Sequence, residues 1–367
     1  MRLDIAYRLH FTYADSVSES QNEIRVRPRD DLRQRVLSYR LTTTPATRVL
    51  QVRDYFGTTV DHLGIRGPHG DLLVLAEASV ETTPTDSAPA PVGCERLSDQ
   101  QFVNQHIEYL APSQHVQWGE LVDEVASWAV RSAADDVCER VLAVAQAVPT
   151  VLAYERGSTS IGVTLEELID GGRGVCQDFA HLAVGMLRCI GIPARYVSGY
   201  LFALDETCPG QDSDDGPADD AAPAGARAPD RTAGADHAGH GPFGEDVFAS
   251  EHPVADDSAA VSVQTHAWIE AAVPGYGWHA LDPTNGGPVG ERHVVIGHGR
   301  DYNDVPPVRG VFNGTADARV DAEVIIAQPT APVSMVTEPI RRQASVAVSP
   351  PADAVPQQQG AQQQQQQ

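Results

Sequence analysis

Lysine is absent from this 367-residue sequence, and all 26 basic residues are arginine. They face 50 acidic residues, which leaves a formal net charge of −24. A chain of this charge has no basic face to neutralise phosphates, so we expect no nucleic-acid partner. An anionic membrane surface is disfavoured for the same reason, and we expect no membrane partner.

Cysteine and long apolar runs are also scarce. The five cysteines are odd in number and form no CxxC pair, which fits a reducing compartment. The pattern argues against a disulfide framework and against a cysteine-rich zinc site. No apolar run reaches the ~18 residues of a membrane-spanning helix, and the N-terminal MRLDIAYRLHFTY has no apolar signal core. We therefore expect a cytoplasmic protein.

The first part of the chain has the pattern of antiparallel strands. LDIAYRLHFTYA alternates apolar and polar residues, and QNEIRVRPR, RQRVLSYRLTTTP, TRVLQVRDYFGTTVDHLGI and DLLVLAEASVETT follow at short spacing. DYFGTT and GPHGD are interpreted as hairpin turns. These residues predict an N-terminal antiparallel β domain over 1–112.

From about residue 113 the apolar spacing becomes helical. Residues 115–130, 135–148 and 165–170 are predicted helices, and another is predicted to begin at Cys176. Residues 192–204 predict a strand, and 266–273 with 277–284 predict a strand pair across the turn Pro274 to Gly277. The expected fold class is α+β, with a second domain over 113–327.

Two segments contain too few large apolar residues to offset the entropy of ordering them. Residues 205–260 are an acidic insertion rich in Asp, Ala, Pro and Gly, and 328–367 are a Pro-, Ala- and Gln-rich tail. We predict that both are disordered.

The stretch GGRGVCQDFAHL, residues 171–182, places Cys176 directly after a glycine-rich turn and at the start of a helix. A helix N-terminus has unpaired N–H groups and a partial positive charge, which stabilise a thiolate over a thiol. The same groups would stabilise an oxyanion on a carbonyl that the sulfur attacks. A buried packing cysteine remains the alternative, whereas a structural or incidental role is favoured for Cys94, Cys138, Cys189 and Cys208.

A cysteine nucleophile needs an imidazole within reach and a group that orients it. His181 projects ~140° around the helix from Cys176, so we assign it a polar or packing role. His266 and Asp282 lie on the two paired strands, and strand alternation brings them together if the two faces coincide. The inferred triad is Cys176, His266 and Asp282. The alternative is a hairpin whose polar residues face solvent.

Four motifs in order carry a family resemblance: GVCQDFAHL, GIPARYVSGYL, HAWIE and GWHALDPTNG. With the later GRDYNDVPPVRGVFNG and the N-terminal LHFTYADSV, NEIRVRPR and DYFGTTV, the chain resembles the bacterial transglutaminase-like proteins of the papain-like cysteine superfamily. The resemblance implies an N-terminal β domain before a core in which the nucleophile begins a helix packed on an antiparallel sheet. It also implies Cys176 as nucleophile, His266 as general base and Asp282 as orienting acid.

These residues predict acyl chemistry on the amide bond of a peptide or protein through a thioester. Hydrolysis by a peptidase, amidase or isopeptidase is favoured, because water at ~55 M competes with any amine unless the cleft excludes it. A glutamine-crosslinking transferase and a non-catalytic scaffold are the alternatives. The Cys176 N–H is the first oxyanion donor, and the second is open, with Trp118 as a guess from the resemblance. We expect no cofactor and no metal, and the oligomeric state is open.

Overall fold

The structure is a computed structural model that describes residues 1–84, 89–160, 162–202, 260–263, 265–314, 317–329 and 359–361. The predicted disordered insertion and tail lie outside these ranges, except for residue 260 at the end of the insertion and residues 328, 329 and 359–361 of the tail. No helix in the described ranges is long and apolar enough to cross a membrane.

The chain forms both strands and helices, in agreement with the expected α+β class. The strands are β1 Arg2–Ile24, β2 Gln34–Thr44, β3 Val49–Arg53, β4 Thr59–Thr82, β5 Ala153–Tyr154, β6 Arg173–Gly174, β7 Ala194–Leu201, β8 Ala260–Val263, β9 Thr265–Val273, β10 Gly277–Asp282, β11 Gly287–Pro288, β12 His293–Gly299, β13 Val308–Asn313, β14 Ala318–Ala327 and β15 Gln359–Ala361. The α-helices are α1 Gln100–His106, α2 Glu120–Val130, α3 Val137–Val151, α4 Leu165–Gly171 and α5 Cys176–Cys189. Short 3₁₀ helices span Cys94–Ser98, Ile107–Tyr109 and Tyr302–Asp304.

The first sheet is built around β1, which pairs antiparallel with β4, β13 and β14. Alternate residues of β1 face a hydrophobic core and are buried, whereas their neighbours are more exposed. This period of two is the pattern from which the sequence predicts a strand. The turn predicted at DYFGTT joins β3 to β4, with Gly57 at a φ of 79°.

Three expectations from the sequence differ from the structure. GPHGD is not a hairpin turn, because β4 runs through it and the opposing β1 absorbs the irregularity in register shifts around Val17. Residues 94–109 are helical rather than β. The second domain was expected to continue to residue 327, but β13 and β14 pair with β1, since the chain returns to the first sheet.

The second sheet has the order β11-β10-β9-β7-β12, and all of its pairs are antiparallel. α5 packs against β7 and β9 on one side and against α2, α3 and α4 on the others. Residues 177–188 are all buried, because α5 is enclosed on every side. Its polar Arg188 is accommodated by hydrogen bonds to the carbonyls of Ala194, Ala111 and Arg300.

The two sheets share a hydrophobic core. Tyr200 and Phe202 at the end of β7 pack with the apolar face of the first sheet, together with Val294 and Ile296 of β12. The Tyr200 hydroxyl also donates to the carbonyl of Val26 at 2.7 Å. Strands β7 and β12, which make this contact, belong to the same sheet as His266. The first sheet therefore packs against the sheet that contains His266.

Candidate active site

The turn before Cys176 is held by a buried carboxylate. Asp178 accepts a hydrogen bond from the Val175 N–H at 2.9 Å and another from the Thr159 hydroxyl at 2.5 Å. A Cβ at Gly174 would lie 2.8 Å from the Cβ of Asp178, so glycine is required for this close approach. Burial raises the pKa of Asp178, against the two hydrogen bonds that lower it.

Cys176 is the first residue of α5, as the sequence predicts. The first hydrogen bonds of the helix run from the N–H groups of Asp178 and Phe179 to the carbonyl of Val175. The N–H groups of Cys176 and Gln177 precede these bonds, where a helix has no internal acceptor for its donors. The sulfur of Cys176 lies 3.9 Å from the carbonyl oxygen of Thr265, the residue directly before His266.

The second sheet brings His266 and Asp282 together. The register of β9 and β10 pairs Ala280 with Glu270 and Leu281 with Ile269, which aligns the two faces as expected. Nε2 of His266 donates to Oδ2 of Asp282 at 2.8 Å. Nδ1 is therefore not engaged by Asp282, and the Cys176 side chain helps to raise the pKa of the ring.

A second histidine, His293 on β12, shares the same carboxylate and was missed from the sequence. Its Nδ1 accepts the Gly290 N–H at 3.2 Å, so its proton lies on Nε2, which donates to Oδ2 of Asp282 at 3.2 Å. Asn285 adds a third donor to Oδ2 at 2.7 Å. No sequence spacing relates His293 to Asp282, since β12 and β10 are separated by two strands in the sheet.

Trp268 fills the space between the two histidines. Its ring centroid lies 6.1 Å from that of His266 and 5.3 Å from that of His293. A Cβ on Gly199 of β7 would lie 2.3 Å from the Trp268 ring, so the glycine admits the indole. The indole is fully buried, and this covered face contradicts the alternative of a hairpin with solvent-facing polar residues.

His266, Asp282 and His293 shift one another's pKa values. Burial alone would lower the pKa of His266, but the charge and hydrogen bond of Asp282 and the Cys176 side chain raise it well above its ordinary value. Burial opposes ionisation of Asp282, yet the two histidines hold its pKa below the usual range. Burial lowers the pKa of His293. The site therefore favours an imidazolium at His266, a carboxylate at Asp282 and a neutral ring at His293.

The same three groups have the composition of a metal site. One ligand atom from each of His266, Asp282 and His293 lies within 4.8 Å of the others. In the structure both histidines are instead hydrogen-bonded to the carboxylate. A metal ion between them would have to displace the proton that His266 shares with Asp282.

A cleft opens over Cys176 and His266. It is lined by Tyr154, Arg156, Gly157, Val175, Cys176, Gln177, Tyr196, Ser198, Thr265, His266, Ala267, Tyr302 and Pro307. Trp118 packs at the edge of the helical core and is not among these residues, and its role as second oxyanion donor stays a prediction.

His181 has the packing role expected for it. Its ring stacks on His115, with the centroids 5.7 Å apart, and its Nε2 accepts the N–H of Tyr302 at 3.1 Å. Burial lowers its pKa to about 3, so it is neutral in the folded protein.

Two family profiles match the chain. The bacterial transglutaminase-like N-terminal region matches residues 3–81, and the transglutaminase-like superfamily matches residues 123–283. The chain thus has a bacterial transglutaminase-like N-terminal region and a transglutaminase-like core, as its motifs indicated. The core profile contains Cys176, His266 and Asp282.

Relatives and a solved structure agree with this assignment. The chain is 29% identical over 327 residues to the uncharacterised protein ML0607 of Mycobacterium leprae, covering 89% of this chain and 98% of the relative. It is also 29% identical over 345 residues to Rv2569c of Mycobacterium tuberculosis, covering 87% and 92%. A candidate cysteine protease from Cytophaga hutchinsonii has the same fold, with a TM-score of 0.59 at 20% identity over 92% of this chain and 94% of that protein. The family and the fold support cysteine-based catalysis.

Proposed function

We propose that the protein hydrolyses an amide bond of a peptide or protein through a thioester on Cys176. The observation that carries this proposal is the placement of Cys176 at a helix N-terminus beside His266, whose other ring nitrogen donates to the buried Asp282. This is the arrangement that activates a thiol nucleophile.

In the first half of the reaction, the Cys176 sulfur attacks the carbonyl carbon of the substrate. A C–S bond forms and the carbonyl oxygen becomes an oxyanion, which the N–H groups at the start of α5 stabilise. The C–N bond then breaks, and the leaving amine takes the proton of the His266 imidazolium. The products of this half are a free amine and a thioester on Cys176.

In the second half, neutral His266 takes a proton from water as the water oxygen attacks the thioester carbon. The C–S bond breaks, a carboxylic acid leaves, and the sulfur returns as a thiolate beside the imidazolium. Asp282 holds the ring in one tautomer throughout, since its oxygen accepts the Nε2 proton. The net reaction is the addition of water across one amide bond.

Hydrolysis is preferred to transfer because the cleft is open to water, which is present at ~55 M. A transferase would have to hold an amine over the thioester while excluding that water. Amine adducts in place of cleaved amides would therefore identify a transferase.

Selective alkylation of Cys176 tests the proposal. Burial, aided by hydrogen bonds to nearby carboxylates, raises the pKa of Cys94 and of Cys189 to about 11. Burial also raises the pKa of Cys138. Iodoacetamide at pH 6 should consequently label Cys176 first in a Cys208→Ser background, as followed by mass spectrometry of the digested protein.

Two matched variants make the test specific. His266→Ala should slow the labelling of Cys176 at pH 6 by about tenfold or more, because the thiolate loses its counter-ion. His279→Ala, on the same hairpin but outside the cleft, should leave the rate unchanged. Incubation of the protein with a peptide library should then yield new carboxyl termini that Cys176→Ala abolishes. Equal labelling of Cys176 and Cys138 at pH 6 would contradict the proposal.

A further inference from the structure

The cleft over Cys176 has a charge composition opposite to that of the chain. The sequence contains 50 acidic residues and 26 arginines, yet no aspartate or glutamate is among the described residues that line the cleft. The lining includes Arg156 and the titratable His266. The carboxylates of Asp178 and Asp282 lie behind the cleft and are already hydrogen-bonded.

Arg156 lies in the turn that follows β5, at the rim of the cleft. Its neighbour Glu155 is paired with Arg173 at 3.1 Å. Arg156 itself has no ion pair or hydrogen bond with any residue in the part of the chain that the structure describes. A guanidinium carries five donors in a planar fork that matches a carboxylate, so its fork is available to a ligand.

Two hydroxyl groups in the cleft support the same conclusion independently. Ser198 and Tyr196 line the cleft from β7 and are 4% and 3% exposed. Within the described ranges, neither hydroxyl has a hydrogen-bond partner. A hydroxyl group can both donate and accept a hydrogen bond, so hydroxyl groups that line a cleft without a protein partner are suited to a polar ligand.

We propose that the cleft selects a substrate with a free carboxylate next to its scissile amide, and that Arg156 pairs with this carboxylate. Ser198 and Tyr196 supply hydroxyl groups to the polar atoms of the substrate deeper in the cleft. The substrate class is thus an acidic or C-terminal peptide amide rather than a neutral or cationic one. This inference rests on the proposed function of Cys176, whose site it extends.

A pair of alkylating reagents tests the inference on the full-length protein. Iodoacetate and iodoacetamide transfer nearly the same group to sulfur, but only iodoacetate carries a carboxylate. The quantity to measure is the ratio of their rates at Cys176, in the Cys208→Ser background at low ionic strength. The variants are Arg156→Gln and Arg156→Lys, with Arg131→Gln as a control because Arg131 is exposed and outside the cleft.

Arg156→Gln should lower the ratio of iodoacetate to iodoacetamide rates by about three- to tenfold, since a cationic rim concentrates anions. Arg156→Lys should retain part of the effect and Arg131→Gln all of it. The difference between Arg156→Gln and the parent should shrink in ~1 M salt, where the Debye length is ~3 Å. A ratio that Arg156→Gln leaves unchanged would overturn the inference. That failure is distinct from failure of the proposed function, which would appear as unselective labelling by iodoacetamide alone.

Discussion

The substitution Asp282→Asn isolates the electrostatic centre of the site. Asp282 is fully buried and accepts hydrogen bonds from the side chains of His266, His293 and Asn285 and from the Thr284 N–H. An asparagine has the same shape but replaces one acceptor oxygen by a donor. Whichever way its amide turns, an N–H group then faces another N–H group, and the protonated His266 is buried without its counter-ion.

The magnitude follows from the cost of breaking a buried ion pair by removing one partner, ~3–5 kcal/mol. The pKa of Asp282 is lower in the folded protein than in the unfolded chain, so its charge stabilises the fold. This contribution to the free energy of unfolding is present above ~pH 4 and is lost as the pH falls toward the pKa of the folded protein. The pKa of His266 is higher in the folded protein than in the unfolded chain, so its protonation stabilises the fold. This contribution to the free energy of unfolding is complete below ~pH 6.5 and is lost as the pH rises through the pKa of the folded protein. The penalty should therefore be largest between about pH 4 and pH 6.5.

Urea unfolding at pH 5.5 and at pH 9 measures this penalty. We expect Asp282→Asn to lower the free energy of unfolding by about 3 kcal/mol at pH 5.5, with a smaller loss at pH 9. Asp321→Asn, which removes an exposed partner of Arg319, should change stability by less than ~0.5 kcal/mol. A loss below ~1 kcal/mol for Asp282→Asn at pH 5.5 would refute the reasoning, because the pair would then not be a buried ion pair.

Three further predictions test the surroundings of the site. Gly199→Ala should destabilise the fold by ~1–3 kcal/mol in urea and slow Cys176 alkylation, because the new Cβ displaces the Trp268 ring. The free energy of unfolding should fall as the pH drops below ~6.5, because His181 binds a proton in the unfolded chain but has a pKa of about 3 in the folded protein. The variant His181→Gln should reduce this loss of stability at acid pH. Asp178→Ala should lower thermal stability by the equivalent of ~1–3 kcal/mol, because the buried Val175 N–H loses its acceptor, whereas Asp178→Asn should lose less.

Short-range patterns predicted the elements that carry the site. The glycine-rich turn before Cys176 places it at the start of α5 because glycine permits the close approach that the turn requires. The alternation of residues in β9 and β10 placed His266 and Asp282 on one face, since the period of a strand is independent of its tertiary context. Both patterns depend only on residues that are near one another in sequence, so they predict structure within the start of α5 and within the hairpin.

Features that depend on sheet order were not predictable in this way. His293 reaches Asp282 from a strand two places away in the sheet, and Gly199 leaves room for the Trp268 ring that packs beside it. The burial of all sides of α5 depends on helices distant in sequence. The return of β14 to pair with β1 joins residues about 310 positions apart, which no local periodicity encodes.

The placement of charge bears on the proposed preference for an anionic substrate. The carboxylates nearest the reacting sulfur lie beneath the cleft, where Asp178 holds the backbone turn and Asp282 holds His266. The Asp282 carboxylate balances the charge of the His266 imidazolium, and burial raises the pKa of Asp178, which favours its neutral form. Arg156 lines the cleft with no ion-pair partner among the described residues. The net charge of −24 therefore does not by itself set the charge of the proposed substrate, because the described residues that line the cleft include Arg156 and no carboxylate.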